Sequence, residues 1–150
     1  MSRPPLLILL ALAATPLLAA EHTHHGKPLE QRAPIHLTME EKAHIHQEMR
    51  LFLSSTQKIV AAAAANDTKG VAAAARAAGM AAAHEVPAKL RGKLPMQFKK
   101  LGHATHVAFD DLARDADSLG DANHALRQLG QVMENCVSCH AVFRIETAKR

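Results

Sequence analysis

The sequence predicts an all-α chain, folded as an antiparallel up-down-up-down four-helix bundle. Three observations predict it. Apolar residues recur at three-four spacing through long segments, which gives each helix one buried stripe. The connections between those segments are short, which favours antiparallel neighbours. The composition is 48% hydrophobic but only 3% aromatic, with no Trp or Tyr. A core of Ala, Leu, Val and Met suits close helix packing better than a β-sandwich. At 150 residues the chain makes one domain, large enough to bury a real core.

Residues 1–20 read as a secretory signal peptide. Arg3 supplies the positive start, Leu6 to Leu18 the apolar stretch, and Leu18-Ala19-Ala20 a small-residue cleavage end. Pro16 and the polar run from Glu21 to His25 make the apolar stretch too short for a permanent membrane anchor. The expected location is therefore the periplasm, with no stable anchor once the signal is removed. Loss of Arg3 lowers the formal charge from +4 by one. Residues 21–37, with Pro28 and Pro34 and no apolar period, read as a flexible polar lead-in. Its His22, His24 and His25 could capture copper, zinc or nickel, or form a plain solvated tail. No second cluster or acidic partner completes a site there.

The bundle domain is expected over 38–150. Thr38-x-x-Glu41 is a capping box that opens the first helix. Its stripe runs Met39, Ala43, Met49, Phe52/Leu53, Thr56, Ile59/Val60 and Ala63, and Asn66-Asp67 ends it near Ala65. Asp67 caps a second helix, Thr68 to about His84, built almost wholly of alanine. Pro87 stops that helix, Lys89 to Leu94 allows a short turn of helix, and Pro95 suits the start of the third. The third stripe is Phe98, Leu101, Thr105, Phe109, Leu112, Ala116 and Leu119. Gly120 ends it and Asp121 caps the fourth helix, whose stripe runs Leu126, Leu129, Met133, Cys136, His140 and Phe143.

That last stripe carries the chemistry. Cys136-Val137-Ser138-Cys139-His140 is C-x-x-C-H, the attachment signal for a c-type haem. Two thiols add across the haem vinyl groups and the adjoining imidazole becomes an axial iron ligand. On a helix, Cys136 and Cys139 lie one turn apart and Cys136 and His140 share a face. The expectation is one haem c per chain. Export agrees with it, because c-type attachment takes place outside the bacterial inner membrane. These are the only two cysteines. A zinc site would need two further ligands, and a thioredoxin-like C-x-x-C would follow a strand that the pattern does not contain.

Only ten residues follow His140, and none is placed to return to the iron. A second axial ligand must come from upstream, and the first helix offers Met49 and, one turn earlier, His46. Methionine ligation would give a low-spin iron of raised potential, suited to electron transfer, and bis-histidine ligation a lower one. With neither, a five-coordinate iron would remain open to NO or CO. A methionine on a helix stripe is otherwise plain core.

Cys136-x-x-Cys139-His140-x-x-Phe143-Arg144 resembles the signature of class II cytochromes c, the cytochrome c′ family, over roughly Thr38 to Lys149. The resemblance implies the same four-helix bundle, with the residue over the open haem face supplied by the first helix. In the family that residue is Met in low-spin members and apolar in gas-binding ones. Met49 is the position that matches best, which implies His140/Met49 ligation. A slip of one turn would place His46 or Leu53 there instead. The resemblance also puts Arg144 near a haem propionate, and it leaves open whether two copies pair as a homodimer through the outer faces of helices one and two.

His103 and His106 have a chelating i, i+3 spacing but no obvious third ligand, so surface or packing roles are expected for them. No catalytic triad order, phosphate loop or paired carboxylates stands out. Nor does a basic run with interleaved aromatics, so nucleic acid is not an expected partner. The expected function is that of an electron carrier rather than an enzyme, serving redox partner proteins. A gas-binding cytochrome and a non-haem metal-binding bundle are the alternatives.

Overall fold

The computed structural model describes residues 30–83 and 86–148. The expected signal peptide and the histidines His22, His24 and His25 lie outside the described residues. The described chain is mostly helical, with one small parallel two-stranded sheet. In order it forms β1 (Ala33–Leu37), α1 (Met39–Ala64), α2 (Thr68–Arg76), α3 (Met80–Ala83), α4 (Ala88–Lys93), α5 (Met96–Leu119), α6 (Ala122–Val142) and β2 (Phe143–Thr147).

Local chemistry sets most of these boundaries. The Thr38 hydroxyl accepts from the Glu41 N–H at 3.2 Å while the Glu41 carboxylate accepts from the Thr38 N–H at 3.0 Å. Both bonds satisfy donors that the first turn of α1 cannot use. At the far end Asn66 takes a positive φ of 53°, and the Asp67 carboxylate then caps α2 by accepting from Gly70. Gly120, in the left-handed region at φ 63°, ends α5, a conformation that a Cβ would penalise. Asp121 caps α6 by accepting from Asn123 and His124.

Around the larger core, α1 packs against α2 and α6, and α5 against α2 and α6. Phe52, Ile59, Val71, Phe109, Leu112, Leu129 and Val132 fill that core, together with the alanines of α2. A second core gathers Ile35, Leu37, Ile45, Leu90, Leu94, Phe98 and Phe143 under the sheet and α4. Met49 packs against both clusters.

Three expectations change. The all-α prediction gains a sheet: β1 pairs in parallel with β2, Ala33 opposite Phe143 and Leu37 opposite Thr147. The segment expected as the end of a flexible lead-in is thus a strand. It is held because Ile35 and Leu37 alternate inward into the second core. The alanine-rich helix expected to run to about His84 instead breaks after Arg76. There Ala78 and Gly79 bond back to Ala75 and Arg76 in a tightened turn, and Asp110 of α5 accepts from the Met80 N–H at 2.9 Å to restart the helix as α3. A Cβ at Gly79 would collide with that carboxylate, so only glycine allows so close an approach. Finally, α6 is rotated from the expected stripe. Ala122, Ala125, Leu129 and Val132 face the core, while Leu126 and Met133 are exposed.

Candidate functional site

The α6 helix runs without interruption through the C-x-x-C-H motif, so Cys136, Cys139 and His140 project from adjacent positions on one side of a rigid element. All three line a cavity of about 370 Å³ that is walled by α1 and α5 as well as α6. Met49, Phe52 and Leu53 contribute from α1, Phe98 from α5, and Met133 from α6. This size falls in the range of small-molecule and cofactor sites. Leu53 and Met133 are 70% and 47% exposed because they face this cavity and not the core.

Both thiols are free and half-buried. The Cys136 thiol points along the helix toward the Val132 carbonyl at 3.8 Å. Burial pushes the pKa of both thiols up, and for Cys139 the neighbouring Cys136 adds to the effect.

A second cavity, of about 260 Å³, shares Met49, Phe98, Cys139 and His140 with the first. It is bounded by β2 and the segment before β1, which bring in Arg144 and Arg32. His46 lines this cavity, is exposed, and does not line the first. The Arg144 Nε donates to the Arg32 carbonyl at 3.1 Å, and its guanidinium also pairs with Glu146. Arg32 forks onto Glu30 and reaches the His140 carbonyl at 3.5 Å. Two guanidinium groups thus stand beside the end of α6, where positive charge also complements the helix dipole.

The structure therefore brings Cys136, Cys139, His140 and Met49 to one cavity and sets Arg144 and His46 at its neighbour. These residues fit a covalently attached haem: two adjacent thiols for tethering, an imidazole and a thioether for the iron, apolar walls, and guanidinium groups for carboxylates. Arg32, Phe98 and Glu48 also belong to the site, and the sequence reading did not single them out for it. Arg32 lies more than a hundred positions before Arg144, and no local pattern marks it.

Glu48 joins the cavity wall to a buried histidine. His106 is only 3% exposed and its ring lies tilted at 58° against Phe52 with centroids 4.9 Å apart. Its Nδ1–H donates to the Ala78 carbonyl at 2.8 Å, and Nε2 faces the Glu48 carboxylate at 3.1 Å. The carbonyl is free because the helix breaks at Gly79. Burial lowers the His106 pKa, but the bonds to Glu48 and Ala78 outweigh it and hold the ring above the ordinary histidine value. The expected His103/His106 pair divides accordingly, with His106 in the core and His103 exposed. Among the described residues no group of three or more His, Cys, Asp or Glu comes together as a metal site, and no helix is long and apolar enough to cross a membrane.

No family model, no curated protein and no solved structure matches the chain.

Proposed function

We propose that the protein is an exported c-type cytochrome that carries electrons, a low-spin member of the class II cytochromes c with an antiparallel four-helix bundle formed by α1, α2, α5 and α6. One observation carries the reading: the motif residues of α6 and Met49 of α1, far apart in sequence, line a single apolar cavity. Haem, when bound, supplies a one-electron ferric/ferrous couple. Cys136 and Cys139 would tether it through their sulfurs, and His140 and Met49 would supply a nitrogen and a sulfur ligand to its iron. Phe52 and Phe98, both buried, give the site apolar walls, which would limit reorganisation during electron transfer and raise the potential together with the thioether ligand. The shared cavity wall puts Arg32 and Arg144 within the same region, where they would hold the propionates. Export to the periplasm rests on the reading of residues 1–20.

The test is the optical spectrum of protein made with a c-haem maturation system. Colour that survives denaturing extraction, sharp low-spin bands and a weak far-red sulfur-to-iron band are the expected result. Met49→Ala should convert the ferric spectrum to high-spin. An unmoved spectrum in that variant sinks the Met49 assignment. A high-spin wild-type spectrum that shifts readily with CO would favour a gas-binding cytochrome of the same fold, with Leu53 of the same wall covering the iron. Colourless protein would sink the haem reading altogether.

A further inference from the structure

We propose that α4 and the first half of α5 form the docking face for an acidic partner protein, an inference that rests on the electron-carrier reading and names the chemistry of its partner. The charge on this part of the chain is segregated. From Val86 to Phe109 there is no Asp or Glu, but there are Lys89, Arg91, Lys93, Lys99 and Lys100. From Asp110 to Asp121 the balance reverses, with Asp110, Asp111, Asp115, Asp117 and Asp121 against Arg114 alone.

The two halves also differ in how their charges are used. The acids are occupied: Asp117 pairs with Lys69 and Arg76, Asp111 with Arg114, Asp115 with Arg114 and His124, and Asp121 with Arg127. Asp110 caps α3. Of the cations, Lys93 pairs with Glu41 at 2.6 Å. Among the described residues, Lys89, Arg91, Lys99 and Lys100 have no ion pair. Folding thus neutralises the negative end internally and leaves the positive end facing outward.

The positive end adjoins the site. Arg91, Lys99 and His103 line a third cavity of about 270 Å³, and its Phe98 and Gly102 also line the cavity that holds the C-x-x-C-H motif. The basic surface and the candidate haem cavity are therefore two sides of one turn of α5. Met96, 62% exposed, adds an apolar contact among the cations. A cluster of free cations beside an electron-transfer site speeds the encounter with an acidic partner by about 10- to 1,000-fold at low ionic strength and loses that advantage in salt.

The experiment uses the haem-loaded full chain and a flavodoxin, an acidic one-electron carrier, as the probe. Association rates are measured at low and high ionic strength for wild type and for the variant carrying Lys89→Glu, Arg91→Glu, Lys99→Glu and Lys100→Glu. A second variant carries Lys58→Glu, Lys69→Glu, Arg114→Glu and Arg127→Glu, with the same net charge but changes away from the face. Circular dichroism confirms that each variant is folded. The first variant should associate at least about tenfold more slowly than wild type at low ionic strength and nearly equally at high, while the second changes far less. Equal slowing in both variants, or none in the first, overturns the docking face even if the haem spectrum is normal. Stronger binding to phosphatidylglycerol vesicles or to heparin than to the flavodoxin also overturns it. A colourless chain that still binds the flavodoxin in this salt-dependent way refutes the electron-carrier reading and leaves the acidic-protein face standing.

Discussion

His106→Ala removes three contacts at once. The buried Ala78 carbonyl loses the donor held at 2.8 Å, which costs about 1–3 kcal/mol for an unsatisfied buried acceptor. Phe52 loses a ring at 4.9 Å, worth about 0.5–1.5 kcal/mol beyond its area. Glu48, with a side chain 16% exposed, loses its 3.1 Å partner, which adds roughly 1 kcal/mol more. The expected loss is about 3–5 kcal/mol, or a melting temperature lower by roughly 10 °C for a chain of this size.

The pH dependence of that loss tests the cause. His106 is held above its ordinary pKa in the folded protein, so folding favours the protonated ring. The stabilisation is complete below the unfolded value of about 6.5 and is lost as pH rises through the folded pKa. Urea unfolding followed by circular dichroism, at pH about 5.5 and about 9, should show a larger gap between wild type and variant on the acid side. A gap that is constant with pH, or below about 1 kcal/mol in acid, would refute the reasoning.

Other expectations follow from contacts already described. Thr38→Ala should lower stability by about 1 kcal/mol, read as a shift in the urea midpoint, because it opens the Thr38–Glu41 capping box. Phe143→Ala should cost about 3–5 kcal/mol by the same assay. Its ring is buried and meets Phe98 edge-on with centroids 5.7 Å apart. Gly79→Ala should cost about 1–3 kcal/mol, since the added Cβ meets the Asp110 carboxylate. A double-mutant cycle with Asp110→Ala should show that the two losses are coupled.

Features governed by neighbouring residues were legible in the sequence. The Thr38 capping box, the Asp67 and Asp121 caps and the Gly120 stop depend on side chains within a few positions, and each forms. The helix through the motif was legible from its spacing, and of the two first-helix candidates Met49 lines the same cavity as the motif while His46 lines its neighbour. The α6 stripe was misread because the helix presents two apolar faces, one to the core through Leu129 and Val132 and one to the cavity through Met133. The sheet was illegible for another reason. Ile35 and Leu37 make a strand only when Phe143–Thr147 arrives from the other end of the chain. The burial of His106 was hidden likewise, because its acceptor appears only once Gly79 and Asp110 have broken a helix that its alanines would continue.

The pairing of β1 with β2 also orders events in time. Synthesis proceeds from the N-terminus, so Ala33–Leu37 is made well before its partner Phe143–Thr147 and must wait for it. Closing so long a loop is entropically costly and slow. Until it closes, the second core lacks Phe143, and Cys139, which packs against that core, is not yet covered. Closing the sheet therefore does more than pair two strands: by bringing Phe143 into the second core it completes the packing against Cys139 and ties the motif helix to a strand from the other end of the chain.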